Sequence, residues 1–161
     1  MKQDSNKVNK PNTKIKNVKP SRNSRYTQGY INPKSCKKLF PNIANDIIIY
    51  RSSYEKIFIG WLENNKNVKY WGSECFGIPY ISALDNKQHT YYPDYIVEFV
   101  NGDKMVVEIK PYNQTYKPVN ENSWANKEYI RNISKWKYAK EYCEQRGYKF
   151  KILTENTIYR L

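Results

Sequence analysis

The sequence predicts an α/β fold, with a mixed β-sheet flanked by helices. Three observations carry that expectation. Residues 52–63 have helical apolar spacing, with Tyr54, Ile57, Phe58, Trp61 and Leu62 at i, i+3, i+4, i+7 positions. Residues 91–110 hold two runs rich in Val, Ile, Phe and Tyr around Asn101-Gly102, a strong hairpin signal. A second helical stretch, 126–146, then precedes one more alternating run. The order helix, strands, helix, strand suits helices packed on a mixed sheet.

The elements follow in chain order. Residues 1–25 are polar, with eight basic residues (Lys2, Lys7, Lys10, Lys14, Lys16, Lys19, Arg22, Arg25) and one acid, Asp4. Such a segment buries too little apolar surface to offset its ordering entropy, so disorder is expected. It reads equally as a solubilising tail and as a DNA- or partner-binding arm. Residues 26–161 then form one domain. An irregular lead-in over 26–49 carries Pro33 and Pro41 as breakers and ends in the apolar run Ile47-Ile48-Ile49-Tyr50. Ser52 or Ser53 caps the first helix, and Asn64-Asn65-Lys66-Asn67 ends it. Short strands are expected at 68–71 and 76–81, with a turn at Asp85-Asn86-Lys87. The hairpin strands lie near 95–100 and 104–110, and Pro111 stops the second because it lacks a ladder N–H. Residues 112–125 read as a loop. The long helix sets Tyr129, Ile130, Ile133, Trp136 and Cys143 on one side and stops at Gly147. A final strand spans 148–153.

At 161 residues the chain is long enough for one domain with a real core, and 16% aromatic content makes that core rich in Tyr, Trp and Phe. A net charge of +13 favours a polyanionic partner, nucleic acid before an anionic membrane. No apolar run approaches the length of a membrane span, and no signal peptide is read at the N-terminus. Cys36, Cys75 and Cys143 are odd in number and widely spaced, which gives neither a disulfide framework nor a zinc pattern. A reducing, intracellular site of synthesis fits that usage.

The chemistry concentrates in Pro93-Asp94, thirteen residues, then Glu108-Ile109-Lys110. A hairpin brings Asp94 back to Glu108 and Lys110, joining two carboxylates and an ammonium at one end of a sheet. Carboxylate oxygens suit Mg²⁺, which keeps several waters and takes few protein ligands. The ammonium can stabilise phosphate charge. The competing reading is a set of strand-end charges paired across the ladder. Register decides between them. A two-residue turn at Asn101-Gly102 sets Asp94 opposite Ile109 and puts the carboxylates on opposite faces. A three-residue loop, Val100-Asn101-Gly102, sets Asp94 opposite Glu108, so an odd-length loop or a bulge is expected. Glu55 has two readings, as part of a Ser52-x-x-Glu55 capping box and as a third acid near the metal. His89 reads as an ordinary surface residue ahead of a ligand or base. Arg51, Gln114, Lys117, Lys135 and Lys137 are candidate phosphate contacts, each against the alternative of a solvated charge.

These residues resemble the PD-(D/E)xK nuclease superfamily, and within it the head completion nucleases of large tailed phages of the T-even type. The likeness runs through YRSSYE (50–55), NVKYWGSE (67–74), IPYIS (78–82), HTYYPDY (89–95), EIKPYNQT (108–115), KW (135–136) and FKILTE (150–155). It spans about residue 30 to the C-terminus and leaves out the tail. Tyr54 departs from it, standing where the first-helix motif has Trp. The resemblance implies a restriction-endonuclease-like fold, with Asp94 and Glu108 binding Mg²⁺ (or Mn²⁺) and Lys110 assisting the attacking water. It implies Glu55 as the first-helix acid, and Gln114 and Lys135 fall in matching blocks. It implies hydrolysis of packaged double-stranded DNA so that filled heads join tails, with portal, neck or head proteins as partners. The setting implied is the host cytoplasm during virion assembly. The alternatives are a transposase- or restriction-type endonuclease of the same fold, and a structural neck protein that binds DNA or portal without cutting.

Overall fold

The computed structural model describes residues 28–43 and 47–161, so the basic tail lies outside the described residues. Strands β1 (Gly29–Ile31) and β2 (Ile48–Tyr50) precede helix α1 (Ser53–Asn64). Strands β3 (Val68–Ser73), β4 (Ile78–Ile81), β5 (Gln88–Tyr91), β6 (Tyr95–Phe99) and β7 (Lys104–Ile109) follow. Helix α2 (Trp124–Glu144), strand β8 (Lys149–Leu153) and helix α3 (Glu155–Ile158) complete the order. The central sheet runs β3-β6-β7-β8. Its first two pairings are antiparallel, and β7 pairs with β8 in parallel. A parallel partner cannot be reached by a tight turn, and α2 supplies the crossover. The sheet is therefore mixed and helix-flanked, as the sequence predicts.

The β6–β7 hairpin has the odd-length loop. Tyr95 stands opposite Val107 and Ile96 opposite Val106. The Phe99 N–H donates to the Asp103 carbonyl at 2.9 Å, and the Gly102 N–H to the Phe99 carbonyl at 3.0 Å. Gly102 has φ +89, the left-handed conformation that closes a type I turn with a G1 bulge. The ladder ends at the Tyr95–Val107 pair, which leaves Asp94 and Glu108 as the next residues outward on the two chains.

Each face of the sheet has its own core. On one side Phe58, Ile59 and Leu62 of α1 pack with Val68, Trp71, Tyr95, Val97, Val107 and Ile109. Each large side chain buried here contributes about 1.5–3 kcal/mol. On the other side Ile78, Tyr80 and Tyr91 of the β4–β5 ribbon meet Ala139 of α2, with Phe150 of β8 against them. Ser52 caps α1 by accepting from the Glu55 N–H at 3.2 Å. Phe58, Ile59 and Leu62 are the buried residues of α1, and Tyr54 and Trp61 pack partly buried beside them, so the expected stripe departs at Ile57 and gains Ile59. Ile57 is left 39% exposed. At the far end Gly147 (φ +68) and Tyr148 donate to the Glu144 and Cys143 carbonyls, closing α2 in a Schellman motif.

Several sequence expectations are corrected. The lead-in is not irregular throughout, because β1 and β2 pair antiparallel. β4 pairs with β5, a strand the polar run Gln88-His89-Thr90 concealed. The short helix α3 was not anticipated. On α2, Ile133 is 43% exposed, while Asn126, Asn132 and Ser134 are buried. Two of these, Ser134 and Asn126, serve neighbouring backbone. Ser134 Oγ accepts from the Ala83 N–H at 3.2 Å and donates to the Ile130 carbonyl, and Asn126 Nδ2 donates to the Glu121 carbonyl at 2.7 Å. Cys36, Cys75 and Cys143 are all free thiols.

Candidate active site

Asp94 and Glu108 come together just past the last ladder pair, Tyr95 and Val107, and Lys110 joins them, with Glu108 reached from the α2 side through Tyr91. Asp94 Oδ2 accepts from the Ile109 N–H at 2.7 Å. Glu108 is only 3% exposed, and each of its oxygens has a partner. Lys110 Nζ lies 3.1 Å from Oε1, and the Tyr91 hydroxyl donates to Oε2 at 2.5 Å. Burial first, and then the Glu108 charge, push the Asp94 carboxyl well above the ordinary carboxylate range, against the pull of the Ile109 N–H and Lys110. Burial works against the Lys110 ammonium, but Glu108 and Asp94 outweigh it and raise its pKa.

A second acidic group approaches from the start of α1. Glu55 Oε2 accepts from the Arg51 N–H at 3.0 Å and Oε1 from the Ser52 hydroxyl at 3.0 Å. The carboxylate thus ties down the chain entering α1, and burial raises its pKa despite those donors. The Arg51 guanidinium is bidentate on Glu74, at 2.8 and 3.2 Å. Glu74 was not singled out by sequence reasoning. It sits at φ +46 just past β3, and its N–H donates to the Asp94 carbonyl at 3.1 Å. That unusual backbone for a Glu has no local sequence signal, although the Gly72-Ser73-Glu74 step hints at a break. The Tyr95 hydroxyl is buried with no hydrogen-bond partner among the described residues. Burial first, and then the charges of Glu55, Asp94 and Glu74, hold its pKa well above the usual value.

Among the expected phosphate contacts, Lys135 reaches the site. Its ammonium stands 5.7 Å from the Tyr91 ring centre. Burial lowers its pKa, aided by Lys110 and Arg131 and opposed by Glu108 and Asp94. Lys137 leans over Tyr138 instead and is exposed. Adjacent positions on a helix point about 100° apart, so two residues apart cannot share a direction. Lys117 pairs with Glu121. Gln114 is exposed in a 3₁₀ turn (Tyr112–Gln114) four residues past Lys110. His89 pairs with Asp85 at 2.9 Å across the β4–β5 turn. Tyr91 also escaped sequence reasoning, though it lies inside the Tyr91-Tyr92-Pro93-Asp94 run.

A helix-flanked mixed sheet, with two carboxylates at the end of an antiparallel pair and a lysine two residues on, is the arrangement of a restriction-endonuclease-like nuclease. The comparisons agree with that class. Residues 65–155 match the family described as TnsA-like endonuclease N terminal. The chain is also 36% identical over 124 residues to the head completion nuclease of Enterobacteria phage T4, a match covering 71% of this chain and 83% of that protein. The chain belongs to this TnsA-like endonuclease family.

Proposed function

We propose that the protein is a phage head completion nuclease that hydrolyses phosphodiester bonds of packaged double-stranded DNA with the help of Mg²⁺ or Mn²⁺. The observation that carries this reading is the meeting of Asp94, Glu108 and Lys110 just beyond the last β6–β7 pair, where Asp94 feels the Glu108 and Lys110 charges and Lys110 Nζ lies 3.1 Å from Glu108 Oε1. The name of the phage T4 relative supports the place in assembly. In this reading filled heads are made ready to join tails in the host cytoplasm, with portal, neck or head proteins as partners.

The residues fit a hard divalent ion. Among the described residues no three His, Cys, Asp or Glu side chains form a ready-made metal cluster. Mg²⁺ is commonly held by one or two carboxylates, waters and substrate phosphate. Asp94 and Glu108 gather beside Lys110, a donor set that suits a hydrated cation. Asp94 and Glu108 would hold the ion, with Glu55 close by. When bound, the ion supplies Lewis acidity towards the phosphate and lowers the pKa of a water.

The chain's own groups do the rest. Lys110, kept protonated by Glu108 and Asp94, offers positive charge where phosphate charge builds. Lys135 adds a second cation on the α2 side. Arg51 can release Glu74 to grip a flanking phosphate.

The test is cleavage of linear and supercoiled double-stranded DNA, in Mg²⁺ and in EDTA. Cleavage is expected with metal only, and to fall by more than about 100-fold in Glu108→Ala. Undiminished cleavage in EDTA or in that variant overturns the assignment. Adding wild-type protein to filled heads that lack it should restore tail joining.

A further inference from the structure

Tyr91 has more structure around it than packing requires. It ends β5, in a ribbon that is not part of the central sheet. Its ring is 3% exposed and sits in the core between the ribbon and α2, among Ile78, Tyr80 and Ala139. Packing alone would be served as well by phenylalanine. The hydroxyl instead donates to Glu108 Oε2 at 2.5 Å, a short, charge-assisted bond. Lys110 holds the other oxygen at 3.1 Å. The two contacts come from different parts of the chain and meet one carboxylate from opposite ends. Without the phenol, Glu108 would be held by a flexible lysine alone, with Asp94 repelling it. The same ring carries the Lys135 ammonium over it, so one side chain touches both the acidic and the basic parts of the site.

We infer that Tyr91 is a positioning residue, whose hydroxyl fixes the Glu108 carboxylate in the orientation that receives a divalent cation. The inference rests on the nuclease reading above. Groups that hydrogen-bond a metal-binding carboxylate set its orientation, and their loss commonly weakens metal affinity or activity 10- to 100-fold. Tyr91→Phe removes the hydroxyl but keeps the ring, its core contacts and the platform for Lys135. The expected signature is therefore split. Affinity for Mn²⁺ and kcat fall by about 10- to 100-fold, while KM for DNA stays near the wild-type value.

The experiment titrates Mn²⁺ into the full-length metal-free protein by calorimetry, without DNA, and measures kcat and KM separately. Tyr80→Phe is the control, since it deletes a second hydroxyl from the same core away from Glu108. Weaker Mn²⁺ binding in Tyr91→Phe, with Tyr80→Phe at wild-type level, supports the inference. Unchanged Mn²⁺ affinity in Tyr91→Phe overturns it whatever the rate. Equal losses in both variants overturn it too, because they mark general loosening of the ribbon. A wild-type protein that neither binds Mn²⁺ nor cuts DNA removes the nuclease-site reading and the inference together. A wild-type protein that does both, matched by Tyr91→Phe, removes the inference alone.

Discussion

Asp94 and Glu108 act on each other electrostatically, yet they stand in different local balances. Asp94 has one donor, the Ile109 N–H, and a carboxyl that burial and Glu108 push towards neutrality. Asp94→Asn keeps an oxygen for that N–H and removes the opposed charge. It should raise metal-free stability by about 1 kcal/mol, seen as a higher urea midpoint, while abolishing cleavage. A lower midpoint would contradict the electrostatic picture. Glu108→Ala should act the other way, because Tyr91 and Lys110 each lose a partner, at a cost of about 1–3 kcal/mol in the same urea titration. From sequence alone both losses look equally mild. The pair itself was legible, because acidic residues are conspicuous at the end of an apolar run. The partners of Glu108 were not, because Tyr91 belongs to another ribbon and its hydroxyl has no signature in a chain with sixteen tyrosines.

The hairpin is the element on which the site depends, and its loop and strands should respond differently to deletion. Val100 is 62% exposed at the turn. Removing it leaves Asn101-Gly102 as a two-residue type I′ turn, still closing the Phe99–Asp103 pair. Register, melting temperature and cleavage should all survive. Removing Glu98 from β6 shortens one strand by a residue and swings Asp94 to the other face. Cleavage should vanish, although the Glu98 contacts to Lys69 and Lys104 are ion pairs at the protein surface, of small energetic value. Survival of activity in the Glu98 deletion would show that the face assignment is wrong. Elements of this kind were readable because their signals are local: Ser52 and Glu55 at a helix start, Gly102 in a turn, Gly147 at a helix end. The β1–β2 pair was hidden because its partners are separated by a stretch with no periodicity. β5 was hidden because three of its four residues are exposed and polar. The phase of α2 was misread because buried Asn and Ser serve neighbouring backbone, which periodicity of apolar residues cannot register.

At the scale of the whole molecule, charge is unevenly distributed along the sequence. The segment 1–25 carries +7 of the net +13. If it acts as a DNA arm, its deletion should weaken DNA binding at low salt. The slope of log K against log salt should also flatten, by about 0.9 for each phosphate that the arm neutralises. Fluorescence anisotropy in EDTA measures this without cleavage. An unchanged slope would assign the segment to solubility or to a protein partner. The mixed architecture followed from element order in the sequence, since a helix between two strands implies a crossover. The two separate cores did not, because which face a helix covers is decided by long-range packing.

The three-residue turn also bears on how such a protein can vary by descent. The Asp94–Glu108 pair is defined by phase and not by the number of residues between the two motifs. Lineages can therefore lengthen or trim the turn freely, or extend both strands equally. A single-residue change in one strand alone is forbidden. Among relatives, the gap between Pro-Asp and Glu-x-Lys should drift in length while the alternation on either side of it holds still.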